Sequence, residues 1–102
     1  MDVKAMEYIL AIAKETSLSG AAKRAGISQP AMSVFLSRLE TELGTDLFYR
    51  EKKKLTLTPA GRIYADAAEK ILDVKSQTYQ TIYRLTHTQR ESIIVGATPL
   101  RG

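Results

Sequence analysis

The chain has 102 residues, 44% of them hydrophobic, enough for one small domain whose thin core leans on a second chain. It holds no cysteine and a single histidine, His87, which excludes disulfide frameworks, thiolate metal sites and the common zinc constellations. Fifteen Lys and Arg against eleven Asp and Glu give +4 and a pI near 9.5, a balance compatible with nucleic acid, and the longest apolar run, "YILAIA", is far short of the ~20 residues of a membrane span.

"VKAMEYILAIAKE" places Val3, Met6, Ile9, Leu10 and Ala13 on one helical stripe, which predicts an amphipathic first helix. In "TSLSGAAKRAG", Ser17 can cap a short second helix containing Ala21 and Ala22, and Gly26 can stop it in the left-handed conformation. The small side chains allow a close helix crossing. Ile27 leads into Ser28, a good N-cap, with Pro30 in the first turn, where its missing N–H costs nothing. Met32, Phe35, Leu36 and Leu39 supply the apolar positions of this third helix, which is expected to end at Gly44.

After Gly44 the period changes. "TDLFYR" and "KLTLT" read as short strands around "EKKK", which has room for a hairpin but lacks the glycine that tight two-residue turns prefer. Thr58-Pro59 then predicts the cap and first position of a fourth helix. Tyr64, Ala67, Ala68, Ile71, Ile82 and Leu85 carry a helical spacing to about residue 88, roughly 40 Å at 1.5 Å per residue. So long a helix needs another helix against its stripe, and a second copy of the chain is the simplest source. Tyr79 and Tyr83 join Tyr64 as expected interface packing, while threonines 78, 81, 86 and 88 weaken the last turns. Ile93, Ile94 and Val95 form a β-type run before Gly96 and Pro99, expected as the first strand of a further domain. The boundaries read as 1–58, 59–90 and 91–102.

Three short helices, a basic-tipped hairpin and a long helix describe a mainly α, winged helix-turn-helix module with a dimerisation helix. In such modules the second helix of the pair enters the DNA major groove with its N-terminal residues leading. On that reading Ser28 and Gln29 meet base edges, and Gln29 suits bidentate pairing with adenine. The helix start also aims free N–H groups at phosphate. The blander alternative leaves Ser28 as a cap, with Gln29 and Ser33 facing water. "REKKK", residues 50–54, nets +3 and is either a solvated tip or a DNA-contacting wing.

"LSGAAKRAGISQPAMSVFLSRLETELGTDLFYREKKKLTLTPAG", residues 18–61, resembles the DNA-binding domain of LysR-type transcriptional regulators. It matches their paired alanines, Ser-Gln-Pro, Ser, Leu-Glu, Leu-Gly, Leu-Phe, Arg and Leu-Thr-x-x-Gly at Ala21, Ala22, Ser28, Gln29, Pro30, Ser33, Leu39, Glu40, Leu43, Gly44, Leu47, Phe48, Arg50, Leu57, Thr58 and Gly61. The long helix is similar to that family's dimerising linker, and "IIVGATP" to the first strand of its effector-binding domain, so the resemblance covers essentially the whole chain. It implies a bacterial regulator, dimeric or tetrameric, on an interrupted palindromic DNA operator, and the start, "MDVKAMEYI", which lacks the basic-then-apolar layout of a secretory signal, reads as that of a cytoplasmic protein. It also implies a small-molecule effector for a C-terminal domain outside this chain, and no cofactor here. Gln29, Pro30, Ser33 and position 34 would face the groove, and the wing near Lys53 the minor groove or backbone.

Val34 and Phe35 stand where the family often has Arg and a polar residue, so the front of the recognition helix carries no charge. Phosphate attraction then falls to Lys23, Arg24, Arg50, Lys52, Lys53 and Lys54, with Ser37 and Arg38 further along the helix. Pro30 and Val34 can pack on a thymine methyl, which predicts A·T-rich half-sites. Phe35 is either a core residue or a surface one, and Ala25, where the family usually has Leu, predicts a lightly packed second helix. A purely structural dimerisation module is the rival reading. An enzyme is a distant third, because no nucleophile–base pairing or Gly-rich phosphate loop is legible.

Overall fold

Polar caps open the helices and left-handed residues close them. Asp2 accepts the Ala5 N–H at 2.8 Å to open α1 (Val3–Glu15), and Thr16, at φ 56°, ends it. Ser17 accepts the Gly20 N–H at 2.9 Å to open α2 (Leu18–Ala25), which Gly26 closes at φ 76°. Ser28 does the same for α3 (Gln29–Leu43) through the Ala31 N–H at 3.1 Å, and Gly44 ends it. β1 (Phe48–Glu51) and β2 (Lys54–Leu57) pair antiparallel with Phe48 opposite Leu57 and Glu51 opposite Lys54, and α4 (Pro59–Ile94) follows. The computed structural model describes residues 1–94.

The first compact unit, Met1–Leu72, has one core. Met6, Ile9 and Ile12 of α1, Ala21 and Ala22 of α2, Met32 and Leu36 of α3, then Leu47, Phe48 and Leu55 close it. The buried face of α1 is wider than the expected stripe. Ala11 and Ile12 are buried while Val3, Leu10 and Ala13 are half-buried, because α2 and β2 both pack on this helix. Phe35 resolves to packing: its ring meets Tyr8 of α1 edge-on at 5.1 Å.

The hairpin is held to the body by backbone. Leu55 donates its N–H to the Thr16 carbonyl at 3.0 Å, while the Thr58 N–H on the Leu47 carbonyl, at 3.0 Å, closes the base of the hairpin itself. Thr58 Oγ1 also donates to the Asp46 carbonyl at 2.7 Å and accepts the Gly61 N–H at 3.0 Å, capping α4. A Cβ on Gly61 would overlap the Leu47 carbonyl oxygen, so only glycine lets α4 approach this closely. The unit therefore continues past the expected 58/59 junction, with Gly61, Tyr64, Ala65 and Ala68 buried in it.

The second unit begins at Asp73. Thr78 and Thr86 turn their hydroxyls back onto the Val74 and Ile82 carbonyls, at 2.7 and 2.9 Å, sharing the acceptors of the helix ladder without ending it. His87 is half-buried, its ring stacked at 3.7 Å on that of Tyr83 and its Nδ1 3.0 Å from the Tyr83 carbonyl. The helix passes through the expected weak turns to Ile94, so Ile93 and Ile94 are helical where a strand was predicted. No strand pairs with this run among the described residues, and staying helical satisfies its backbone groups within the run. Val95, and with it the rest of the predicted strand and hinge to residue 102, lies outside the described residues.

Candidate nucleic-acid interface

The start of α3 is exposed at Ser28, Gln29 and Pro30, and again at Val34, Ser37 and Arg38, with Ser33 half-buried between them. These positions share one outward face, because Met32 and Leu36 turn the opposite side into the core. Fewer backbone donors are offered than the sequence suggested. Pro30 has no N–H, and Ser28 takes that of Ala31, which leaves Gln29 as the residue of this turn with an N–H to offer. Val34 is 51% exposed, an apolar side chain on a face whose first charge is Arg38.

Beside Gln29 lies a cleft of about 290 Å³ lined by Ser17, Leu18, Ser19, Gln29, Arg50, Lys53, Lys54 and Leu55. It joins the starts of α2 and α3 to the wing. Ser17 and Ser19 were not anticipated here; Ser17 was legible only as a cap. A second, larger groove of about 780 Å³ runs along α3, with Pro30, Val34, Phe35 and Arg38 on one side and Met1, Asp2 and Tyr64 on the other.

The wing turn is tight. Lys52 and Lys53 both take positive φ, 48° and 69°, making the two-residue connection that usually employs Asn-Gly. The hairpin forms without the expected glycine, at a cost in backbone strain, and presents two ammonium groups at its tip.

The cations divide by what they touch. Lys52, Lys53 and Lys54 are exposed. Arg24 pairs with Glu15 of α1 at 3.1 Å and does not line the cleft around Gln29; Lys23, beside it, is exposed. Arg50 lies on the same strand face as the buried Phe48, and its Nη2 reaches Glu40 Oε1 at 3.3 Å. Glu40 is only 8% exposed, and its other oxygen accepts the N–H groups of Leu47 at 2.7 Å and Phe48 at 3.3 Å. The sequence pointed to Arg50 as a phosphate contact but gave Glu40 no role.

The expected interface residues of α4 also separate. Tyr64, at 7% exposure, and Ala68 were expected at the interface but are buried in the core cluster of the first unit, where the surrounding apolar side chains already cover them. Ala67 is half-buried and Ile71 exposed. In the second unit, Val74, Tyr79, Ile82, Tyr83 and Leu85 are all exposed. The Tyr64 hydroxyl is buried with no hydrogen-bond partner among the described residues. Its pKa is raised by burial, then by the nearby charges of Asp2 and Glu42. No group of three or more metal-ligating side chains occurs among the described residues, and none of their helices is long and apolar enough to cross a membrane.

Residues 3–62 match the family model described as the bacterial regulatory helix-turn-helix protein, lysR family. A probable RuBisCO transcriptional regulator of Emiliania huxleyi is 37% identical over 97 residues, 95% of this chain but 31% of the relative. The HTH-type transcriptional regulator BudR of Klebsiella aerogenes is 34% identical over 98 residues, 96% of this chain and 68% of that one. Among solved structures, the BenM DNA-binding domain with catB site 1 DNA superposes with a TM-score of 0.77 at 30% identity, covering 84% of this chain and 96% of that one. The chain thus spans about a third of the length of the first of these relatives.

Proposed function

The chain belongs to the LysR family of bacterial regulatory helix-turn-helix proteins, and from that premise we propose that it is the DNA-binding part of a dimeric transcription regulator. Residues 1–58 read the operator, the apolar residues left exposed within 59–90 pair two copies, and 91–102 lead toward an effector domain that senses a small molecule. The protein works in the cytoplasm on double-stranded DNA, as a dimer or a tetramer of the longer chain. The observation that carries this reading is the cleft that sets Gln29 beside Lys53 and Lys54. Base recognition and phosphate attraction meet there on one surface.

Helix α3 enters the major groove with its N-terminus leading. Gln29 pairs with adenine, Ser28 and Ser33 offer hydroxyls to base edges or phosphate, and Pro30 and Val34 pack on thymine methyls. Ser37 and Arg38 take the backbone further along. Lys52, Lys53 and Lys54 follow the minor groove or its phosphates, with Lys23, Arg24 and Arg50 adding to the attraction. Because the reading face carries no charge before Arg38, half-sites are rich in A·T and affinity falls steeply with salt. The exposed apolar residues of α4 favour pairing of two such helices, and a two-fold dimer calls for an interrupted palindrome.

DNA fragments selected by the purified protein, followed by gel shifts with Gln29→Ala and Lys53→Ala, test the proposal. Losing Gln29 should relax specificity at one position by about 1–3 kcal/mol, and losing Lys53 should weaken all sequences alike and lower the salt slope by about one. A dimer that selects no fragment would leave α4 pairing as the only activity, and guanine-rich contacts at α3 would overturn the A·T preference.

A further inference from the structure

We propose that Glu40 is a positioning residue for DNA binding: it holds the Arg50 guanidinium at the mouth of the cleft beside Gln29, ready for a phosphate. The inference rests on the DNA-binding reading and deepens it. Glu40 projects from α3, the reading helix, yet all the hydrogen bonds of its carboxylate go to the strand that forms the wing or to the residue just before it. Oε2 accepts the amides of Leu47 and Phe48 at 2.7 and 3.3 Å, and Oε1 accepts from Arg50 Nη2 at 3.3 Å. One nearly buried carboxylate therefore joins the helix that enters one groove to the strand that reaches the next.

Arg50 is suited to being held and used at once. Its side chain is half exposed, and it lines the cleft shared with Gln29, Lys53 and Lys54. A guanidinium presents five donors in a rigid fork, so one edge can stay on Glu40 while another meets a phosphate oxygen. Lysines at the wing tip search for phosphate as flexible point charges; Arg50 waits in place. Strand alternation gives the reason for its direction, because the residue two after the buried Phe48 must point back toward α3.

Glu40→Gln separates the two jobs of the carboxylate. The amide oxygen must stay on the Leu47 and Phe48 N–H groups, since they need an acceptor. The NH₂ then faces the Arg50 guanidinium, donor against donor, and Arg50 is released. Removing a negative charge would by itself strengthen attraction to DNA, so weaker binding has the opposite sign from a net-charge effect.

The test measures affinity for a wild-type-selected DNA fragment by fluorescence anisotropy, across salt, for wild type, Glu40→Gln, Arg50→Met and the double variant. Thermal melts run alongside. Expected is a loss of about three- to tenfold on Glu40→Gln with the salt slope kept, the scale of immobilising one long side chain on binding. Arg50→Met should lose affinity and lower the slope by about 0.9, and adding Glu40→Gln to it should change nothing more. A Glu40→Gln loss that persists undiminished beside Arg50→Met, or no loss at all, overturns the proposal. If Glu40→Gln fails to fold, Arg50→Lys decides: full affinity from a lysine would mean that charge suffices without positioning. Wild-type protein that selects no DNA sinks the DNA-binding reading itself, a distinct outcome.

Discussion

Single side chains in this domain carry loads that their residue type does not announce. Tyr64 has the spacing of an interface residue but lies in the core, its hydroxyl unpartnered among the described residues. Burial and the nearby carboxylates of Asp2 and Glu42 raise its pKa. A raised folded-state pKa means the folded protein holds this proton more tightly than the unfolded chain does. The resulting stability is fully present below the unfolded value of about 10 and is lost as pH climbs through the folded value. Tyr64→Phe should therefore leave stability at neutral pH unchanged or raise it by up to about 1 kcal/mol, because an unpaired buried hydroxyl is removed. It should also blunt unfolding above pH ~10. Denaturant melts at neutral and alkaline pH check both; a loss of stability at neutral pH would mean that the hydroxyl has a partner.

At the scale of elements, the wing shows a local rule broken where the function needs charge. Two lysines occupy left-handed positions that cost an L-residue about 1–2 kcal/mol each relative to glycine. Replacing Lys52-Lys53 by Asn-Gly should raise stability by about 1–2 kcal/mol and the melting temperature with it. The same change should weaken DNA binding and flatten its salt slope by up to about two. Calorimetry and anisotropy titrations on the same variant read both effects, and a fall in melting temperature would remove the strain argument. The hairpin was foreseeable from "EKKK" between two apolar runs, but its turn type was not, because neither residue favours positive φ. The helices were more legible. Asp2, Ser17 and Ser28 cap, Gly26 and Gly44 stop, and all of these devices act within four residues of themselves.

Across the whole molecule, the apolar side chains that remain exposed on α4 after the core is complete set the expectation of a dimer. Val74, Ile82 and Leu85 are each more than half exposed, more apolar surface than a solitary helix leaves in water. Ile82→Glu should convert the dimer to monomer in sedimentation equilibrium and, by separating two half-site contacts, weaken operator binding at least tenfold. A variant that remains dimeric would move the pairing surface elsewhere. Glu40 belongs to this scale too, since it relates the reading helix to the wing and not merely one residue to another.

Chain order, the limits of α1 to α3, the wing and the family were determined by the sequence alone, because each rests on neighbours along the chain or on motif residues at constant spacing; the end of α4, which has no stop signal near the expected residue 88, was not. Which cations stay exposed at the wing tip and which pair with a carboxylate was decided only by the tertiary structure. Arg24 and Arg50 find Glu15 and Glu40 nine and ten residues away, across a turn whose direction no local propensity encodes. Tyr64 and Ala68 were claimed by the core for the same reason: a helical stripe states that a face is apolar, while packing decides what covers it.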